Sequence, residues 1–430
     1  MEIDLINKII KQIKNKTTLN SLFFALFIAS NFIANVFGAL DFMRNRFLPI
    51  FYIILFFFSL SVNLKQWNVF PKKSIYIFFS FLIFFLFSFF FHGTNEIFLN
   101  YFFNFIVLSV LSIQLLKSKM SVNKIMVSSV LILLLLLYPT FQTVFYWQMG
   151  VSFWLPFSYN ILFLLLANGY VILNKKNNLW LRIVSCFLLL IYGVNFLEDA
   201  TRGAFLVIVG FLVLLVIFIK IRTAKIMIYF ISGIAIITTF ITFNFIRIIT
   251  VAHNILSSLN INVTALERMI HMERYGIDMT SARGELIDFA MEGIRGNFLF
   301  GNGVGAYEMR VGLWVHNIFL QFLYELGIIY LLFLLFILCY FIRLLISTPN
   351  SSEKVFLIMI FSVGFLPQLI SLPYQLIPRF WIAMYGIFIY QTKEEEMLIV
   401  SKKSFLNGFN SFKRIIINLS KLKIGKLDYK

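Results

Sequence analysis

Residues 318–342, with the sequence IFLQFLYELGIIYLLFLLFILCYFI, decide the fold class of this chain. The stretch is mostly apolar and contains a single charged side chain, that of Glu325. A helix needs about 20 apolar residues to cross a hydrocarbon core of about 30 Å. The stretch therefore predicts a membrane-spanning helix centred near residue 330.

Similar apolar runs recur along the chain. Of its 430 residues, 60% are hydrophobic and only 13% are charged, which excludes an ordinary soluble domain. Twelve candidate spans are centred near residues 30, 55, 82, 107, 133, 165, 188, 212, 236, 330, 363 and 385. The predicted fold is all-α and integral to a membrane, with about 12 transmembrane helices in one bundle and a large, partly helical outer loop.

The net charge of +18 is distributed unevenly between the connections. If the N-terminus is inside and the spans alternate, 27 of the 37 Lys and Arg residues fall inside, including all 23 Lys. Cytoplasmic loops of membrane proteins carry such an excess, which also suits anionic lipid headgroups. We therefore expect a multi-pass protein of the cytoplasmic (inner) membrane with both termini in the cytoplasm. The cations that fall outside are all Arg, Arg379 among them, and we expect no nucleic-acid partner.

The domain organisation follows from the spans. Isoleucines at helical spacing among lysines predict a cytoplasmic interfacial helix over residues 1–18, which lack the cleavage site of a removed signal peptide. The transmembrane bundle then comprises residues 19–249 and 316–392, separated by an outer loop over 250–315. Residues 393–430 form a basic cytoplasmic tail. Cys186 and Cys339 both fall in spans, so the outer loop has neither a disulfide nor a thiolate metal site.

Within the outer loop, residues 282–295 predict a helix, preceded by Thr280 and Ser281 as candidate caps. One face carries its acidic side chains, and Arg295 lies nearer that face, where it can form a solvated ion pair. Arg283 lies on the opposite face with Ile287, Ala290 and Ile294. We therefore expect Arg283 to point with the apolar face toward the bundle.

Three residues could carry chemistry. Arg202 begins the span near residue 212, and an ionisable group at a span edge is a functional candidate, with a salt bridge to Glu198 or Asp199 as the alternative. His316 lies at the outer mouth of a span, and a histidine can act as a base near neutral pH, although a hydrogen-bonded structural role is the alternative. Together with Arg283, these residues would supply one proton acceptor and two forked cations that suit phosphate oxygens.

The other histidines, His92, His253 and His271, are not accompanied by such a pair of arginines. No residues show metal-ligand spacing, so neither a metal nor another cofactor is predicted. The run Gly301-Asn302-Gly303-Val304-Gly305 follows no strand and is not a nucleotide-binding motif. It predicts either a flexible turn back to the membrane or a backbone cradle for an anionic group.

These residues resemble the O-antigen polymerase and O-antigen ligase superfamily of bacterial envelope glycosyltransferases. The resemblance covers roughly residues 200–345 and rests on the order of several short motifs. These are Thr201-Arg202-Gly203-Ala204, Arg283, the run 301–305, His316-Asn317 and Glu325-Leu326-Gly327. The resemblance implies that Arg202 and Arg283 hold a diphosphate and that His316 is the base. Gly301, Gly303, Gly305, Asn317 and Glu325 would support them.

The implied reaction joins polyprenyl-diphosphate-linked oligosaccharides into O-antigen, capsule or exopolysaccharide on the outer face of the membrane. The partners would be the lipid-linked glycan donor and a glycan acceptor, and the family context allows a chain-length regulator and a flippase. A ligase that transfers glycan to lipid A core, as in lipopolysaccharide, is the first alternative. A transporter of lipid-linked glycans is the second, but it predicts charged residues along a mid-span pathway. Here, ionisable groups collect at one outer face, with Glu325 as the main exception, which either pairs with an outer arginine or caps a helix-packing site.

Overall fold

The computed structural model describes residues 15–38, 47–63, 72–93, 96–140, 157–199, 202–220, 245–258, 267, 270–271, 283–349, 351–369, 372 and 374–386. Every regular element within these ranges is a helix, which confirms the predicted all-α class. Most of the predicted interfacial helix, the span predicted near residue 236, the candidate caps Thr280 and Ser281, and the basic tail lie outside the described residues.

The α-helices are α1 (Lys16–Gly38), α2 (Phe47–Asn63), α3 (Lys72–His92), α4 (Glu96–Lys117), α5 (Val122–Leu135), α6 (Leu162–Leu173), α7 (Leu179–Asp199), α8 (Arg202–Leu215), α9 (Phe245–Ser258), α10 (Arg283–Gly296), α11 (Ala306–Val311), α12 (Ile318–Ser347) and α13 (Ser352–Phe365). A π-helical turn, Val216–Lys220, extends α8. Two 3-10 turns, Leu366–Leu369 and Tyr374–Leu376, follow α13, and residues 378–386 are again helical.

Six of the described helices are long and apolar enough to cross a membrane, which indicates a multi-pass membrane protein. They are Lys16–Phe37, Ser74–His92, Glu96–Lys117, Leu179–Phe196, Ile318–Ser347 and Ser352–Leu369. Four further apolar helices are shorter, with 10–17 residues, so the predicted number of twelve spans is not confirmed. Large apolar side chains such as Phe90 and Leu135 are exposed, as lipid-facing residues would be.

The first helix lies at the centre of the packing. α1 packs against α2 and α5, α6 packs against α5 and α7, and α13 packs against α8. Phe24, Phe27 and Phe32 of α1 are completely buried. Near the start of α1, the buried amides of Asn20 and Asn63 exchange hydrogen bonds of 3.2 and 2.8 Å, which join α1 to α2. Interhelical amide pairs of this kind stabilise helix association in an apolar environment.

The longest helix is sharply bent. Gly327 has φ 74° and ψ −179°, which divides α12 into a short arm (318–326) and a long arm (328–347). Phe319 of the short arm and Phe341 of the long arm are linked by ring contacts with Phe365 and Phe361 of α13. The ring centroids are 6.2 Å apart for Phe319 and Phe365, 5.2 Å for Phe365 and Phe361, and 4.3 Å for Phe361 and Phe341. A straight helix would separate Phe319 and Phe341 by roughly 33 Å. The short arm is therefore folded back toward α13, and the long arm alone, at about 30 Å, has the length of a span.

Candidate functional site

His316 lies immediately before the short arm of α12 in an unusual backbone conformation. Its φ is 59°, and it is the non-glycine residue with a positive φ among the described residues. Asn317 caps the helix, because its Oδ1 accepts hydrogen bonds from the N–H groups of Phe319 (3.0 Å) and Leu320 (3.2 Å). The His316 ring is half-buried, and its centroid lies 5.5 Å from that of Trp314. A positive φ is uncommon for a non-glycine residue and occurs at functional sites among other places, so the role of His316 as a base stays a prediction.

The glycine turn, Gly301–Gly305, is packed tightly against the bend. Gly301, Gly303 and Gly305 have φ values of 73°, 95° and 72°. A Cβ on Gly301 would overlap the backbone of Glu325, and a Cβ on Gly303 would lie 2.9 Å from the ring of His92. Glycine is needed here both for its positive φ and for the close approach of other groups. The turn is therefore not the flexible connection that was one of the two expectations.

The second expectation, a backbone cradle for an anion, also differs from the structure. The N–H groups of Gly301, Asn302 and Gly303 donate to the carbonyls of Asn297 (2.8 Å), Tyr324 (2.8 Å) and Glu325 (3.0 Å). The N–H of Val304 donates to Ser88 Oγ (2.9 Å), and that of Gly305 donates to the Glu325 carboxylate. Because the protein already uses each of these donors, the turn fastens the loop to α12 rather than presenting free N–H groups.

Glu325 is the buried centre of this arrangement. Its carboxylate accepts hydrogen bonds from Gln321 (3.1 Å), Gln375 (3.0 Å) and Tyr374 (3.5 Å), as well as from Gly305 N–H. These partners are two amides, a phenol and a backbone N–H. Of the two expectations for Glu325, the contacts therefore match a helix-packing site rather than a pair with an outer arginine. The carboxylate joins the short arm of α12 and the glycine turn to the 3-10 turn Tyr374–Leu376.

The backbone groups released by the bend are also satisfied. The N–H of Ile328 donates to the carbonyl of Phe298 (2.9 Å). The side-chain amide of Asn302 donates to the carbonyls of Gly293 and Tyr324, both at 3.1 Å. Irregular backbone at membrane depth is stable only where protein or water supplies such partners. The loop that ends in the glycine turn therefore stabilises the bend of α12.

The predicted outer helix packs against the short arm. α10 spans Arg283–Gly296, in the region of the predicted helix, and its buried side includes Ala290 and Ile294, as expected. Ile287 is exposed, and Leu286 takes its place in a cluster with Tyr307, Tyr324 and Val315. The Tyr307 hydroxyl donates to the Leu286 carbonyl (2.8 Å). Burial, and to a smaller extent the nearby Tyr324, raise the pKa of Tyr307 to about 12. This phenol therefore remains protonated and holds α11 against α10.

The two predicted phosphate-binding arginines both lie in helices. Arg202 belongs to α8, and Arg283 belongs to α10. Their side chains lie outside the described part of the structure, so their predicted role stays a prediction. For Arg283, the backbone is informative, since it precedes by one turn the Leu286 that packs in the cluster with Val315. The start of α10 and the residue before His316 thus belong to one packed unit.

Arg379, which the sequence placed in an outer segment, is completely buried, and its guanidinium donates to the Tyr159 carbonyl (2.7 Å) and to Asn160 Oδ1. The apolar run around Pro378 and Arg379 was the available indication of this burial. The side of the membrane on which Arg379 lies stays a prediction. His253 lies 3.4 Å from the Glu267 carboxylate.

Among the residues that the structure describes, no group of three or more His, Cys, Asp or Glu side chains could hold a metal ion. Comparisons with known protein families and with curated proteins give no match to this chain. The resemblance therefore rests on the motifs in the sequence, and the geometry around His316 is a separate observation.

Proposed function

We propose that the protein is a membrane glycosyltransferase that polymerises polyprenyl-diphosphate-linked oligosaccharide repeat units. The observation that carries the proposal is the conformation of His316, which is held at φ 59° at the capped start of the short arm. Such a conformation costs of order 1–3 kcal/mol and persists only where surrounding contacts impose it. A histidine on this defined backbone, at the mouth of a bent helix, suits a positioned base.

In the proposed reaction, His316 accepts the proton of an acceptor sugar hydroxyl. The hydroxyl oxygen forms a bond to the anomeric carbon of the donor glycan, and the bond from that carbon to the lipid diphosphate breaks. The diphosphate leaves with the electron pair, and the guanidinium groups of Arg202 and Arg283 stabilise its charge. Solvent then takes the proton from His316. Cleavage of the bond between the sugar and the lipid diphosphate supplies the driving force, and the proposal assigns no metal or nucleotide.

We place this reaction on the outer face of the cytoplasmic membrane, with both termini inside. The distribution of lysines between the two ends of α4 supports the placement. α4 begins beside the glycine turn, where Ile97 contacts Gly305, and ends some 33 Å away at Lys117. Lys117, Lys124, Lys175, Lys176 and Lys354 belong to the elements at this far end. Lysines concentrate on the cytoplasmic side, so the candidate site faces the opposite side.

The decisive experiment incubates the purified protein with a defined lipid-linked repeat unit and separates the products by length. A polymerase yields a ladder of lipid-linked oligomers from this single substrate. A ligase yields product only after lipid A core is added. Transport of the lipid-linked unit across a vesicle membrane without any new glycosidic bond would contradict the proposal.

A further inference from the structure

A second candidate binding site lies at the end of the bundle opposite His316. It is a cavity of about 690 Å³ lined by the ends of α4 and α12, the starts of α5 and α13, and the chain that follows α6. Its size falls within the range of about 300–1,000 Å³ that is usual for ligand pockets. None of the residues that form the proposed catalytic site line it, so the two sites are separate.

The mouth of the cavity is polar. Lys176 lines it, and its ammonium group makes no hydrogen bond or ion pair with the residues that the structure describes. Asn174 and Asn123, which also line the mouth, are joined by a 3.0 Å hydrogen bond between their amides. Glu353 is the one acidic lining residue. The exposed ammonium group of Lys176 can therefore pair with a charge of opposite sign on a bound molecule.

The backbone adds to this polarity. The first residues of α5 (Ser121, Val122 and Asn123) and of α13 (Ser351, Ser352 and Glu353) line the same mouth. Ser121 makes no side-chain cap bond to α5, so N–H groups of its first turn remain available. At α13, by contrast, Ser351 Oγ accepts a 3.4 Å hydrogen bond from the N–H of Lys354. The uncapped start of α5 and Lys176 are therefore the groups that favour a phosphate over a neutral polar group.

The interior of the cavity is apolar and extends between α12 and α13. Its walls are large aromatic and aliphatic side chains, Phe341, Phe356, Leu357, Ile360 and Phe361. Ala383 and Gly386 also line it, so small residues border part of the chamber. An apolar chamber behind a phosphate-binding mouth matches an amphipathic molecule whose phosphate connects directly to a hydrocarbon chain.

We propose that this cavity binds a glycerophospholipid of the adjacent leaflet. Its phosphodiester would lie between Lys176 and the two helix starts, and one acyl chain would extend along the wall formed by Phe341 and Phe361. The bound lipid would contact α5, α6, α12 and α13. Of these, α12 and α13 follow His316 in the chain. The inference rests on the cavity and its charges and is independent of the proposed transferase activity.

The test measures lipid binding to the purified protein in detergent by native mass spectrometry. Phosphatidylglycerol and a diacylglycerol with the same acyl chains are compared, since they differ in the phosphate headgroup. We expect phosphatidylglycerol to remain bound and diacylglycerol to dissociate. Equal retention of the two lipids would overturn the proposal, and so would displacement of phosphatidylglycerol by a polyprenyl monophosphate at equal concentration.

Matched variants separate the site from general attraction to lipids. Lys176→Glu should raise the Kd for phosphatidylglycerol about tenfold, a change of about 1.4 kcal/mol. Lys175→Glu makes the same charge change one residue earlier, at an exposed lysine that does not line the cavity, and should leave binding unchanged. Equal losses in the two variants would contradict a specific site. Ala383→Leu, which narrows the apolar chamber without a charge change, should also reduce binding in protein that elutes as a single folded peak.

Discussion

At the scale of single residues, Glu325 has the largest structural effect in the candidate site. Its carboxylate accepts hydrogen bonds from three side chains and one backbone N–H, all within a buried region. Removing a buried acceptor leaves its donors unsatisfied, at about 1–3 kcal/mol for each group. The carboxylate therefore couples the glycine turn to α12 and to the 3-10 turn that follows α13.

We expect Glu325→Ala to lower the thermal unfolding temperature of the detergent-solubilised protein substantially. Glu285→Ala, at an exposed position on α10, should leave this temperature nearly unchanged. An equally small effect of both substitutions would show that the Glu325 hydrogen bonds contribute little to stability.

Individual residues also mark the limit of sequence-based prediction. The sequence placed Glu325 in a span and proposed two kinds of partner, but its actual partners Gln375 and Tyr374 lie about 50 positions away. The burial of Arg379 likewise depends on Tyr159 and Asn160, which no local pattern connects to it. Periodicity identifies which residues are apolar, whereas polar contacts inside the bundle depend on how helices meet.

At the scale of elements, the bend in α12 determines where His316 lies. Gly327 adopts a backbone conformation that is essentially restricted to glycine, and a Cβ there would overlap the Leu299 carbonyl. The hydropathy of residues 318–342 predicted one continuous span, because a straight apolar helix and a bent one have the same composition. By contrast, the helix predicted over residues 282–295 is present as α10 in the described residues, since local charge and apolar periodicity determine it.

We expect Gly327→Ala to destabilise the protein by more than about 3 kcal/mol, or to prevent its accumulation in the membrane. Gly312→Ala is the matched control, because Gly312 has a similar φ of 75° but no atom within 4 Å of the position that a Cβ would take. The control should cost about 1–2 kcal/mol, the penalty of a left-handed conformation alone. Membrane yield and unfolding temperature would both report the difference, and equal losses would contradict the role of the close contact with Leu299.

At the scale of the whole molecule, the two ends of the bundle differ in chemistry. One end contains the glycine turn, the bend and His316, and the other contains the lysines and the cavity proposed to bind a phospholipid. The hydropathy of the chain predicted a helical membrane protein, and the positions of the lysines predicted its orientation. The cavity could not be predicted, because its lining comes from residues 116–125, 170–176, 341–361 and 383–386, which meet only in the folded bundle.

The orientation can be measured with single cysteines and a membrane-impermeant maleimide. We expect Glu285→Cys to react from outside in intact cells, because α10 lies at the end that faces outward in the proposed topology. Lys175→Cys should react only after the membrane is permeabilised. The unsubstituted protein, with Cys186 and Cys339, gives the background. The opposite pattern would place the candidate site in the cytoplasm.

The central claim, that His316 is the base in glycosyl transfer, is tested most directly by the rate of oligomer formation in the His316→Asn variant. Asparagine tolerates a positive φ, so the substitution removes the base while keeping the backbone conformation. His253→Asn, at a histidine outside the site, is the control. We expect a fall of about 10²–10⁴-fold for His316→Asn and an unchanged rate for His253→Asn. Full activity of a folded His316→Asn protein would contradict the claim.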